Sequence, residues 1–130
     1  MDKKGLINYW LQSGKEDQDT MEHLLKGKRF VHALFFGHLY LEKLCKAVWV
    51  SNHKEDHPPR THNLLKLLEE AGVKLDDENM VFLLKLNRYQ IEGRYPEDID
   101  KLHKITNEKL TVGYFANIKT IAECLLKELP

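Results

Sequence analysis

Proline placement is the feature that most narrows the folds open to this chain. All four prolines lie outside the segments in which apolar residues recur with helical spacing; they are Pro58, Pro59, Pro96 and Pro130. Because a proline inside a helix removes a hydrogen bond and clashes with the preceding turn, the proline-free segments are the ones that can form long helices. No alternation of apolar and polar residues, the pattern typical of strands, competes with this interpretation.

The apolar spacing predicts four long helices and one short helix. The long helices are expected over about 5–26, 29–51 and 76–93, and after Thr106 as far as Leu125. The short helix is expected over 63–71, with Thr61 as its N-cap and Gly72 as its terminator. The predicted fold class is therefore all-α, an up-and-down helical bundle of four long helices plus one short helix.

Length and composition predict one domain that spans residues 1–130. The chain is 42% hydrophobic, and a chain of this size can bury a core without disulfides or metals. Its two cysteines, Cys45 and Cys124, lie far apart without a metal-binding spacing, and we expect both to be buried free thiols. No signal-peptide or membrane-spanning apolar run is present, so the sequence predicts a cytoplasmic protein with no membrane contact.

The charge balance argues against nonspecific binding to nucleic acid. The 20 basic and 20 acidic residues give a formal net charge of zero. Long-range attraction to a phosphate backbone requires an excess of positive charge, so a nucleic-acid partner is unlikely on this basis.

Polar residues interrupt the apolar faces of the predicted helices. Asp17 lies within the apolar arc of the first helix, and His38 and Glu42 lie four residues apart on the core side of the second. Asn87 and Asn117 interrupt the later helices in the same way. Such residues form either a structural layer of paired groups or a ligand site, and the sequence leaves both alternatives open.

Specific partners can be proposed for this polar layer. We expect Glu42 to be held inside the bundle by a cation, with Arg94 the best candidate and His38 adjacent. Lys43 and Lys46 are expected on the far side of the second helix.

Metal-dependent and common enzyme signatures are absent from the sequence. The segment His53 to His57 reads HKEDH, which nearly matches two zinc-enzyme patterns but has its glutamate in the wrong place for both. No Glu-x-x-His pair of the di-metal bundles occurs, and no metal site is predicted.

An ordered set of short motifs resembles the HEPN domain, the higher eukaryote and prokaryote nucleotide-binding family. The resemblance covers about Trp10 to Leu125. Its motifs are Trp10, Asp17, Leu24-Leu25 with Gly27, HLYLEKLCKA with His38, Glu42, Lys43 and Lys46, then Thr61-His62-Asn63-Leu64, and EGRYPED with Arg94, Tyr95 and Pro96.

The resemblance implies a bundle of about five helices that is frequently a homodimer and often forms a complex with a minimal nucleotidyltransferase. Some members bind nucleotides, and one branch consists of metal-independent ribonucleases that act as toxins. That branch carries an arginine followed, after four to six residues, by a histidine. None of the four arginines here meets this spacing; they are Arg29, Arg60, Arg88 and Arg94.

The predicted function is therefore that of a non-catalytic HEPN-type bundle that works through homodimerisation and a protein partner, with a nucleotide as the candidate ligand and no other cofactor. The candidate binding residues are Asp17, His38, Glu42, Lys43, Lys46, His62, Arg94 and Tyr95. Phe36 and Leu39 on the outer side of the second helix are the expected dimer contacts. A divergent ribonuclease and a purely structural interaction module are the alternatives.

Overall fold

Six helices make up the fold in a computed structural model, which describes residues 2–91 and 95–130. They are α1 (Lys3–Lys26), α2 (Phe30–Asn52), α3 (Leu64–Ala71), α4 (Asp77–Ile91), α5 (Pro96–Ile105) and α6 (Glu108–Lys127). No strand occurs within the described ranges. The predicted all-α class and the five predicted helices are confirmed.

Helix α5 is a sixth helix that the apolar spacing does not predict, so the expected count of five helices is wrong. It lies between Gly93 and Thr106, where no helix is expected. Pro96 occupies the first turn of α5, where its missing N–H costs no hydrogen bond and its fixed φ suits a helix. The helix is short and mostly charged, and only Ile99 and Leu102 join its inner side to the core. A stripe of two apolar residues is too weak to be seen as a periodic pattern.

Local side-chain caps set several of the helix ends. Asn63, rather than the predicted Thr61, caps α3 by accepting a hydrogen bond from the Lys66 N–H at 3.2 Å. Thr61 instead accepts a hydrogen bond from the Asn63 N–H at 3.1 Å. Gly72 ends α3 as predicted, with a left-handed φ of 77° that a side chain would strain.

Helix α2 runs through the centre of the fold, and α1, α3, α4 and α6 all pack against it. Helix α6 comes close to α2 at Gly37, where an added Cβ would lie 2.7 Å from Ile118 Cδ1. Most α2 side chains are consequently buried, as the apolar residues on both of its sides indicate. Phe36 packs against the core and Leu39 is half-buried, so a single chain covers much of the face that was expected to be a dimer contact.

The two cysteines differ in environment, which corrects the expectation that both are buried. Cys45 is buried in α2, and its burial raises the pKa of the thiol to about 12, so it remains protonated and unreactive. Cys124 is exposed on α6.

None of the helices in the described ranges has the length and apolar content needed to cross a bilayer.

Candidate functional site

A buried carboxylate, Glu42, lies at the centre of the polar layer. Its side chain is nearly inaccessible, with the residue 4% exposed. Glu42 Oε2 accepts a hydrogen bond from Lys46 Nζ at 3.0 Å, and Oε1 lies 2.8 Å from His62 Nδ1 and 3.9 Å from His38 Nδ1. The predicted burial of Glu42 and its closeness to His38 are thus present in the structure, and among the described residues Lys46 is a cationic partner.

His62 connects this buried carboxylate to the surface. It lies in the turn just before α3, and 54% of its side chain is exposed. Since an ionised carboxylate can only accept, Nδ1 of His62 carries the proton and donates to Glu42. The hydrogen bond fixes the tautomer of the ring and leaves Nε2 as the atom that can contact a ligand.

His38 is the fully buried member of the group. Its Nε2 lies 3.0 Å from Asn87 Oδ1 of α4, which assigns the ring proton to Nε2 as donor to the amide oxygen. Burial is the main cause that lowers the pKa of His38 to about 4, although Asn87 and Glu42 act in the opposite direction. His38 is therefore a neutral imidazole at physiological pH, and it links α2 to α4.

A second ion pair joins α1 to α2. Lys43 Nζ lies 2.7 Å from Asp17 Oδ2, with both side chains mostly covered. Lys46 Nζ lies 5.2 Å from the centroid of the Trp10 ring, a cation–π distance. The expectation that Lys43 and Lys46 lie on the far side of α2 is wrong, because α1 packs against that side of the helix: an added Cβ at Gly14 of α1 would lie 3.5 Å from Lys43 Cβ.

The remaining candidates are Arg94 and Tyr95. Arg94 lies outside the described residues, and so does the expected pair with Glu42. Tyr95 is 61% exposed directly before α5, and among the described residues no side-chain interaction joins it to Glu42.

Two residues complete the group in ways the sequence analysis did not predict. Trp10 is only a motif residue in the sequence, but in the structure its ring lies beneath the Lys46 ammonium. Asn87 was noted as a break in an apolar face, and its partner His38 is 49 positions away. A polar residue on an apolar face signals that a partner exists, but not which one.

In the HKEDH segment, His53 packs against the end of α2, and the other four residues are exposed. The His53 ring stacks on Trp49 with centroids 3.9 Å apart, and its Nδ1 donates to the Trp49 carbonyl at 2.8 Å. The backbone carbonyl of His53 accepts a hydrogen bond from Lys3 Nζ. Across the described part of the chain, no three His, Cys, Asp or Glu side chains are grouped as metal ligands would be.

The fold is an all-helical bundle around a central helix that carries a buried Glu-x-x-x-Lys pair, and these features define the class of protein. A comparison with protein-family models identifies the family. The HEPN domain model matches residues 7–127, nearly the whole chain, and the protein belongs to the HEPN family.

One curated relative was also found, Protein THP3 of the yeast Saccharomyces cerevisiae, which is 30% identical over 86 residues. The match covers 63% of this chain but spans only 18% of the length of the yeast protein. No solved structure was found to match.

Proposed function

We propose that residues 1–130 act as one non-catalytic HEPN-type binding module in the cytoplasm. It forms a homodimer, associates with a protein partner such as a minimal nucleotidyltransferase, and holds a nucleotide against the group of Trp10, Lys46 and His62. The observation that carries this proposal is the hydrogen bond from His62 to buried Glu42, which orients an exposed imidazole for binding.

The chemistry of this group suits a nucleotide phosphate. His62 Nε2 is the outward nitrogen of a ring held by Glu42, and in its protonated form it donates to a phosphate oxygen. The Lys46 ammonium, which also binds Glu42, adds a hydrogen-bond donor to the group, and Trp10 supplies an aromatic surface for the base.

The same group supports binding better than turnover. Metal-free cleavage of RNA needs a proton-transfer group and a cation that stabilises the charged phosphorane. Lys43 and Lys46 each already neutralise a carboxylate, Asp17 and Glu42 respectively. The arginine and histidine spacing of the ribonuclease branch is missing from the sequence.

Nucleotide binding is expected to depend on His62. We expect addition of adenosine or guanosine triphosphate to change the tryptophan fluorescence, and His62→Ala to weaken the affinity about tenfold through loss of one charge-assisted hydrogen bond. Titration of the wild-type protein, of His62→Ala and of a control variant, followed by fluorescence and calorimetry, measures the affinity. His57→Ala is the matched control, because His57 is exposed on the preceding loop and has no contact with Glu42. Absence of binding at millimolar nucleotide, or equal affinity in His62→Ala, would contradict the proposed ligand.

A divergent ribonuclease is the second candidate, and one observation favours it. A carboxylate that fixes the tautomer of a histidine is also the arrangement that prepares a histidine to act as a general base.

RNA cleavage is nevertheless expected to be absent. The purified protein should degrade RNA no faster than its His62→Ala variant, with or without an added divalent metal, because the arginine and histidine spacing of the ribonuclease branch is missing from the sequence. A time course with labelled single-stranded RNA measures this. Cleavage that His62→Ala abolishes and His57→Ala retains, with both variants folded by circular dichroism, would establish the ribonuclease in place of the binding module.

A further inference from the structure

The outward face of α4 is an exposed surface that combines apolar and charged residues. Six residues at helical spacing line it, and all are exposed: Asp77, Glu78, Val81, Leu84, Lys85 and Arg88. The two central residues are apolar, with Val81 50% and Leu84 57% exposed. Adjacent exposed apolar residues on a helix are typical of a surface that another protein covers.

Charge is divided along this face, which we call the α4 ridge. Asp77 and Glu78 lie in its first turn, and Arg88 lies in its last turn with Lys85 one turn earlier. This order complements the dipole of the helix itself. The same order of charges makes the ridge complementary in charge to a second copy that is rotated by 180°.

We propose that the α4 ridge pairs antiparallel with the α4 ridge of a second copy of this chain about a two-fold axis. The inference rests on the homodimer of the proposed function and assigns its interface. An axis at the midpoint of the ridge, between Phe82 and Leu83, brings Val81 opposite Leu84 of the partner. The same axis brings the acidic first turn of each copy opposite the basic last turn of the other, as an isologous interface requires.

The surroundings of the ridge accommodate a second helix. On the α6 side a hollow of about 400 Å³ lies between Val81 and Tyr114, with Asn117 at its edge. On the α3 side a hollow of about 470 Å³ is lined by apolar residues that include Leu65 and Met80. A ridge between two hollows is the shape that lets paired helices pack side chains of one into grooves of the other.

The α2 face that was expected to form the dimer contact is less suited to this role. Phe36 packs against the core of its own chain, and Leu39 is half-buried, whereas Val81 and Leu84 are both at least half exposed. The gain from burying apolar area is therefore larger on α4.

Light scattering and sedimentation at micromolar concentration test the interface in the full chain. We expect the wild-type protein to have twice the 15.3 kDa mass of one chain. Leu84→Lys should weaken the dimer at least about tenfold, since it adds one ammonium from each copy, two like charges, near the axis. Val112→Lys is the matched control, because Val112 is 52% exposed on α6 and lies on the side away from Tyr114.

Charge exchange separates this geometry from a general loss of solubility. Glu78→Lys and Lys85→Glu each place like charges together across the axis and should each weaken the dimer, while the double variant restores opposite charges and should recover it. A dimer that resists Leu84→Lys, or a double variant that is no better than the single ones, would overturn the α4 interface and leave the homodimer itself standing. A wild-type monomer at high micromolar concentration would overturn both.

Discussion

Replacing Glu42 with alanine is expected to lower the free energy of unfolding by about 3 to 5 kcal/mol. The substitution leaves the Lys46 ammonium, whose side chain is 11% exposed, without its carboxylate. It also removes the acceptor that holds His62 against the bundle. Urea or guanidinium denaturation, followed by circular dichroism, measures the change.

The exposed pair of Lys15 and Asp19 supplies the control for this prediction. Both side chains are at least 60% exposed, and Asp19→Ala should cost less than about 1 kcal/mol, as is usual for a surface ion pair. Glu42→Gln keeps the shape and one acceptor but removes the charge, and it should fall between these two variants. A loss of less than about 1 kcal/mol for Glu42→Ala would mean that Glu42 does not anchor the polar layer.

Acid should destabilise the protein through His38. The folded state protonates this imidazole only near the lowered pKa of about 4, whereas the unfolded chain does so near the ordinary value of 6.5. Between these two pH values the unfolded state binds more protons, so the free energy of unfolding falls as the pH falls. The shift corresponds to a loss of about 3 kcal/mol once the pH is below both values.

The slope of stability against pH, rather than stability itself, isolates the contribution of His38. His38→Asn keeps a polar group beside Asn87 but removes the imidazole, and its slope between pH 6.5 and 4 should be shallower than that of the wild type. His57→Asn, on the exposed loop, should leave the slope unchanged. If His38→Asn and wild type had equal slopes, the acid sensitivity would come from the carboxylates instead.

Much of this fold follows from local sequence rules. The four long helices are predicted by the apolar repeat in the segments that contain no proline. Gly72 ends α3, because a residue without a side chain adopts the left-handed φ found there. Helix α5 is not predicted by the same rules, because only two of its residues, Ile99 and Leu102, pack in or against the core. A helix this short is stabilised by docking more than by its own periodicity.

The candidate site was predictable in its members but not in its contacts. Glu42 was expected to be buried because a carboxylate on an apolar face must be paired. Its contact with His62 joins the middle of a helix to a turn 20 positions later, and no periodicity connects the two. The lysines were misplaced because a helical wheel of α2 does not show that α1 packs against their side of the helix, where Lys43 Cβ lies close to Gly14.

The antiparallel packing of α1 on α2 also fixes which turn of α1 faces which turn of α2. Apolar stripes alone tolerate a slide of one helical turn, about 5.4 Å, since leucine meets leucine again at the next turn. Here such a slide would separate Asp17 from Lys43. The ion pair therefore favours this register, and a chain that pairs out of step during folding leaves a mostly covered charge unpaired.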